Sequence, residues 1–328
     1  MRYLSVCSGI EAASAAWEPL GWHPVGFAEV DPFCSALLAQ RFPNVTNYGD
    51  LNGFEKWEIE PFDVLIGGTP CQSFSLAGKR AGLDDPRGDL AMVFLGLARR
   101  TRPRWIVWEN VPGVLSSGGG RDFGALLGTL VDIGYGFAYR VLDAQYFGVP
   151  QRRRRVFVVG HLGDATRATQ VLFEPQGSRG DLAKGGASGQ VAATVARASA
   201  QDRGRDEVTH TITPRVRLSH EEPLVACSQV SPPLLNSYGK GRTHRLHGAC
   251  VDTMLSLVTN TIASGSAVRR LTPRECERLQ GFHDDWTLIT YRGKPALDGP
   301  RYAAIGNSMA VPVIRWIGKR IEQADRSR

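Results

Sequence analysis

At 328 residues, with 42% hydrophobic and 22% charged side chains, the chain is long enough for one large or two modest domains and has the balance of an ordinary soluble globular protein. No apolar run approaches the roughly eighteen residues that cross a bilayer, and the opening MRYLSVCSGIEAASAAW is broken by Ser8, Gly9 and Glu11 too early for a secretory core, so a cytoplasmic protein without a membrane partner is expected. The net charge of +7 favours a polyanionic partner without establishing one, and six scattered cysteines form no CxxC pair or Cys/His cluster, which argues against a metal site or a disulfide framework.

In chain order, the apolar runs at 3–7 (YLSVC), 24–30 (PVGFAEV), 63–68 (DVLIGG), 104–110 (RWIVWEN) and 154–160 (RRVFVVG) read as buried strands ending in polar or Gly-rich turns. Helical stretches such as 89–100 and 123–133 lie between them, and this alternation predicts an α/β domain with a mainly parallel sheet. From about residue 164 the texture changes. A Gly/Ser-rich stretch at 177–190 leads into Val/Thr-rich segments at 191–196, 208–213, 230–235 and 258–263, separated by basic loops, which read as short β-type elements. Helical signals return in LTPRECERLQGF (271–282), which opens on Thr272 and stops at Gly281, and in the amphipathic VPVIRWIGKRIEQ, expected to pack back on the first domain. The expected division is therefore 1–163 completed by 301–328, with a second, β-rich unit over 164–300 whose variable part is 164–268 and whose motif-bearing helix is 269–282.

Ligands of parallel sheets gather at the carboxyl ends of the strands, where Cys7, Glu29, Cys71 and Glu109 all fall. In VCSGIEA (6–12), Gly9 lets the backbone approach a ligand, and Glu29 follows twenty residues later, where a carboxylate can accept ribose hydroxyls. Glu11 and Ala12 stand where further glycines would cradle a pyrophosphate, so a nucleoside cofactor without phosphates, such as S-adenosylmethionine, is less demanding. Cys71 follows Pro70, which fixes the backbone, while Gly67 and Gly68 let something flat come close. A lone cysteine is more often a small buried hydrophobe, but this setting, with Lys79, Arg80 and Arg87 in the loop behind it, points to a nucleophile. Glu109, after an apolar strand and beside Trp108, is suited to hold a proton for donation; a capping or ion-paired acid is the other reading. In PQRRRRVFVVG, strand alternation puts Arg153 and Arg155 on one face and Arg152 and Arg154 on the other.

Taken in order, VCSGIEA, AEVDP, GDL (49–51), GGTPCQSFSLAGKRAG, ENVPGV, PQRRRRVFVVG, RRLTPRECERLQGF and AIGNSMAVPV resemble the ordered motifs of bacterial and phage DNA (cytosine-5) methyltransferases, over residues 3–160 and 269–318. The resemblance implies a Rossmann-like S-adenosylmethionine-dependent methyltransferase domain plus a smaller β-rich target-recognition domain. It implies that Cys71 attacks carbon 6 of cytosine, Glu109 protonates ring nitrogen 3, Arg155 contacts the base carbonyl and Arg153 supports it. Cofactor contacts are implied for Cys7, Ser8, Gly9, Ile10, Glu29, Val30, Asp50, Leu51, Pro70, Asn307 and Ser308, and no metal is required. The departures are in the first motif, where Cys7, Glu11 and Ala12 replace the usual phenylalanine and glycines and an aromatic edge contact is lost. The implied partner is double-stranded DNA, bound by a monomer with the Ser73–Asp89 loop closing over a flipped base, and a companion restriction endonuclease fits the same resemblance. A tRNA methyltransferase on the same motifs and a catalytically silent DNA-binding relative are the alternatives. The basic, β-like middle favours DNA over tRNA, and intact Cys71 and Glu109 favour catalysis.

Overall fold

The computed structural model describes residues 1–70, 90–173, 261–264 and 267–326. Cys71, the Ser73–Asp89 loop and the Val/Thr-rich segments up to residue 260 lie outside the described residues. In the described part, β1 (Arg2–Val6), β2 (His23–Ala28), β3 (Val64–Gly67), β4 (Trp105–Asn110), β5 (Tyr135–Asp143) and β6 (Arg154–Leu162) form one sheet in the order β2-β1-β3-β4-β6-β5. The pairs β1/β2, β1/β3 and β3/β4 are parallel, whereas β6 runs antiparallel to both β4 and β5. The mainly parallel α/β architecture is as expected. The reversal of β6 is additional, and it brings the arginine-rich start of that strand to the rim where its neighbours end.

Both faces of the sheet are covered, which is why the central strands are apolar at every position rather than at alternate ones. Alternation instead sorts residues between two cores. Tyr3, Val64, Ile66, Trp105, Val107, Phe157 and Val159 point into one; Leu4, Val6, Leu65, Ile106, Trp108, Val156 and Val158 point into the other. On the first face lie α1 (Ala12–Trp17), α2 (Pro32–Arg41), α5 (Ala165–Leu172), α6 (Pro273–Gln280), α7 (Asp298–Asn307) and α8 (Val311–Arg326). On the second lie α3 (Leu90–Thr101) and α4 (Arg121–Asp132). The expected return of the last helix has a specific anchor: the Trp17 indole N–H donates to the Ile314 carbonyl (2.8 Å), and Arg315 donates to the carbonyls of Ala15 and Ala16.

Two features add to the expectations. The apolar runs do not single out β5, because YGFAYRVLD carries Gly136, Ala138 and Arg140 within it and follows α4 through one turn at Gly134. Residues at both edges of the expected second unit also pack on the sheet domain. In α5, Ala168, Val171 and Leu172 are buried in the first core, and Leu271, Cys276, Leu279, Phe282, Trp286 and Ile289 join the same cluster. Polar locks hold the latter segment there: the Trp286 indole donates to the Ile10 carbonyl (2.8 Å), and Arg41 donates to the carbonyls of Trp286 and Asp285. Residues on both sides of the expected boundary at 163/164, and those of 271–289, thus share one hydrophobic cluster.

Candidate active site

From β1 the chain winds outward to β2, then returns to place β3 on the other side of β1. At such a switch point the loops leaving neighbouring strands diverge and open a crevice. A cavity lies there, lined by Ser5, Cys7, Ser8, Gly9, Ala12, Ala13, Ile66, Gly68, Glu109, Asn307, Ser308 and Met309. The turn after β1 is sharp because Cys7, Gly9 and Glu11 all adopt left-handed backbone (φ 49°, 57° and 64°). For a non-glycine residue that conformation costs about 1–2 kcal/mol, so Cys7 and Glu11 are held against a local preference. Ser8 stitches the turn to both flanking strands, its hydroxyl donating to the Ser5 carbonyl and accepting from the Ala28 N–H.

Glu29 stands at the exit of β2. Its Oε2 accepts from the Gly9 N–H (2.7 Å), and its Oε1 accepts from the N–H groups of Val30 and Asp31 (2.8 and 2.7 Å). A carboxylate has about four lone-pair sites, so one remains for a ligand hydroxyl. Asn47 fixes this group from behind: its Oδ1 accepts from the backbone N–H groups of Glu29 and Gly49, and its Nδ2 donates to the Glu29 carbonyl. The same residue thereby ties Glu29 to the turn that carries Asp50, an exposed N-cap whose Oδ1 accepts from Asn52.

On the opposite wall, Glu109 is only 8% exposed, and Arg155 Nε stands 3.1 Å from its Oε1, an ion pair without hydrogen-bond alignment. The antiparallel register makes this meeting possible, since Glu109 and Asn110 at the end of β4 lie opposite Phe157 and Val156 at the start of β6. Gly68 lets the same wall close tightly: a Cβ there would lie 3.0 Å from Glu109 Oε2 and 3.2 Å from Met309 Cε, so those side-chain ends would have to give by a few tenths of an ångström. The exit of β3 is bolted to β4, with the Trp108 indole donating to the Thr69 hydroxyl and the Asn110 amide donating to the Thr69 carbonyl, both at 3.0 Å. The next residues are Pro70 and Cys71.

The alternation expected for the arginines is present: Arg152 and Arg154 are exposed, whereas Arg153 is buried and Arg155 half-buried. Arg153, however, reaches away from Arg155, donating to the carbonyls of Gly306 (3.2 Å) and Ser308 (2.7 Å). Burial and the neighbouring Arg155 work against its charge, while Glu109 supports it. Its position is that of a clamp on the segment that lines the cavity, and the buried Gln280 amide joins it by donating to Ile305 and Ser308. Of the expected cofactor residues, Cys7, Ser8, Gly9, Asn307 and Ser308 line the cavity, and Glu29 holds its loop. Val30 (67% exposed) and Pro70 are on the surface outside it, while Ile10 and Leu51 turn their side chains into the cores. Ser5, Asn47, Thr69 and Gln280 were not foreseen, because they act largely through backbone groups that leave no local spacing to read; Met309, inside AIGNSMAVPV, adds its side chain to the lining. Burial, with Glu29 and Asp50 nearby, pushes the Cys7 thiol up to about 12, so it is a neutral wall.

Among the described residues, the cavity lining carries hydroxyls, backbone amides, one carboxylate and no basic side chain. That donor set suits a nucleoside bearing a positive charge and is poor for phosphates. The fold and this crevice together define a Rossmann-like methyltransferase architecture, and the solved Dnmt2 methyltransferase of S. pombe shares it with a TM-score of 0.62 at 17% identity, across 98% of both chains. The chain belongs to the C-5 cytosine-specific DNA methylase family, whose model matches residues 1–323. Among curated relatives, it is 35% identical to a protein of Escherichia phage P1 named DNA N-6-adenine-methyltransferase, across 98% of this chain and 61% of that one. It is 31% identical to the type II methyltransferase M2.BsuMI of Bacillus subtilis, across 98% of this chain and 76% of that one. The chain thus spans about three-fifths of the phage relative's length. Among the described residues no helix is long and apolar enough to cross a membrane.

Proposed function

We propose that the protein methylates carbon 5 of cytosine within a recognised sequence of double-stranded DNA, with S-adenosylmethionine as donor. The observation that carries this reading is the single wall on which Glu109, paired with Arg155, faces the same cavity as Gly9, Asn307 and Ser308. When bound, S-adenosylmethionine supplies an electrophilic methyl group on a cationic sulfur. Glu29, Asp50, the Cys7–Gly9 turn and Asn307–Ser308 would hold it.

The rest of the chemistry falls to side chains. Cytosine carbon 5 is a poor nucleophile, and the base must leave the duplex before any group can reach it. Cys71 forms a sulfur–carbon bond at carbon 6 while Glu109 gives its proton to nitrogen 3, which converts the ring to an enamine with electron density on carbon 5. Arg155 holds the Glu109 carboxyl and the base carbonyl. When the carbon 5 proton of the methylated ring leaves to a base, the electron pair restores the carbon 5–carbon 6 double bond, the sulfur–carbon bond breaks, the Cys71 thiolate is released and nitrogen 3 returns its proton to Glu109. Arg153 sets the cofactor wall rather than touching the base. The variable part within 164–268 reads the target, and the chain acts as a cytoplasmic monomer; its likeness to type II methyltransferases supports a companion restriction endonuclease.

Duplex DNA carrying 5-fluorocytosine in the recognised sequence tests the reading, because the fluorine cannot leave as a proton does. A denaturation-resistant adduct on Cys71 is expected in the presence of the cofactor. Cys71→Ser should abolish transfer while cofactor affinity is retained; an active Cys71→Ser enzyme would remove the mechanism. Because the phage relative is named for adenine methylation, the product base decides the substrate. N6-methyladenine in place of 5-methylcytosine would overturn the proposal, and methylation of tRNA but not duplex DNA would replace it with the tRNA reading.

A further inference from the structure

Glu11 stands where the resembling motif carries glycine, and nothing in the mechanism uses it. Its backbone is left-handed (φ 64°) and its residue exposure is 0%. One carboxyl oxygen, Oε1, accepts from the Ser14 N–H (3.0 Å) and hydroxyl (3.2 Å), while Oε2 is buried without a partner. Its neighbours in the chain, Ala12 and Ala13, line the cavity, as does Ser5. A strained backbone and a partnerless buried oxygen are both unfavourable. A glycine here would remove both.

We propose that Glu11 is a positioning residue that sets the charge of the cofactor cavity, so that the ionised carboxyl beneath the floor favours the cationic sulfonium donor over the neutral thioether product. The inference rests on the cofactor reading above. In a low-dielectric surround a buried anion acts on a cation across the thin floor made by Ser5, Ala12 and Ala13 with little screening. The charged and titratable groups packed around Glu11 do not neutralise it. Tyr3 on β1 reaches it only through the Ser14 hydroxyl (2.7 Å), and Cys7 is a neutral thiol. Glu29 after β2, Glu18 after α1 and Glu109 on β4 are acidic, and Arg315 on α8 spends its guanidinium on the Ala15 and Ala16 carbonyls.

Burial raises the Glu11 carboxyl to about 7, against the opposing effect of Ser5 and Ser14, with Glu29 adding a smaller push upward. The free protein therefore holds the proton below neutral pH. A bound cation lowers the value, so binding releases a proton to solvent, and affinity for the cation rises with pH up to about 7 and then levels. The experiment is calorimetric titration of the full chain with S-adenosylmethionine and, separately, S-adenosylhomocysteine across this range, in buffers of different ionisation enthalpy. Expected are proton release on binding the sulfonium, an affinity that climbs by up to about tenfold per pH unit below neutrality, and a weaker response for the thioether. Glu11→Gln and Glu11→Gly should both flatten the sulfonium profile and narrow the preference for it; the glycine variant also relaxes the backbone, and its melting temperature shows whether it is folded. A flat wild-type profile, or a pH response that survives in both variants, overturns the role of Glu11. Failure of the wild type to bind either ligand at any pH would instead remove the cofactor reading itself.

Discussion

Thr69 is the last buried residue before Pro70 and Cys71, and β4 takes both its hydroxyl and its carbonyl through Trp108 and Asn110. Two hydrogen bonds from a strand whose own residues are buried throughout therefore hold the backbone that leads to Pro70 and the proposed nucleophile. Thr69→Val keeps the volume and loses the acceptor for the indole, a cost of about 1 kcal/mol. The expected outcome is a lower kcat with cofactor affinity unchanged, measured by steady-state kinetics beside equilibrium binding; equal losses in both would mean that Thr69 serves stability alone. At this scale the sequence is informative where chemistry demands a rare residue in a fixed setting, as with Glu109 and the arginine pair. It is silent on Thr69 and Asn47, which act through backbone groups brought together by folding. Arg153 falls between these cases: its burial was legible from strand alternation, but its carbonyl partners at Gly306 and Ser308 lie about half the chain away.

Among elements, the five strands with continuous apolar runs were readable because a sheet covered on both faces needs apolar side chains on both. β5 was not, since it sits at the edge of the sheet beside β6 alone and keeps half-buried positions, and its Gly136 exists to let the start of α5 press against it. The same contact ties α5 to the sheet across the expected boundary at 163/164. A helix that follows a glycine turn can open a new unit or close the old one, and only packing decides. The contact of α8 with α1 can be tested directly. A Cβ on Gly318 would fall on the Trp17 indole and lie 3.2 Å from Leu20 Cδ1, and that indole is fixed by its bond to Ile314. Gly318→Ala should cost roughly 1–3 kcal/mol through overpacking, read as a lower melting temperature; an unchanged melt would mean that the helices slide freely. The core of the 277–301 region is polar instead: Arg301 Nη2 lies 3.2 Å from Glu277 Oε1, and Thr287 hydrogen-bonds to both residues. Glu277→Leu leaves that arginine buried with Asp298 at 3.6 Å and Asp285 at 3.9 Å as more exposed partners, so a loss near the lower end of roughly 3–5 kcal/mol is expected in denaturant unfolding.

At the scale of the molecule, the net charge of +7 becomes meaningful once the acidic groups are located. Glu109 lines the crevice and Glu29 holds its loop, whereas Arg152 and Arg154 are exposed beside the rim. A phosphate-driven partner should lose affinity steeply as salt rises, with a linear log–log slope, whereas cofactor affinity should respond little. Titrating duplex DNA and the cofactor over the same salt series separates the two, and a flat DNA response would exclude a phosphate-bound partner.

Asn307, Ser308 and Met309 wall a cavity whose floor is laid down by residues 5 to 13, and α8 must then dock on Trp17 to keep that wall in place. During synthesis the early strands can therefore pair long before the crevice has its second side. A ribosome-bound chain that has paired its early strands therefore still lacks this wall, and the cavity closes only when residues 307–309 meet residues 5–13.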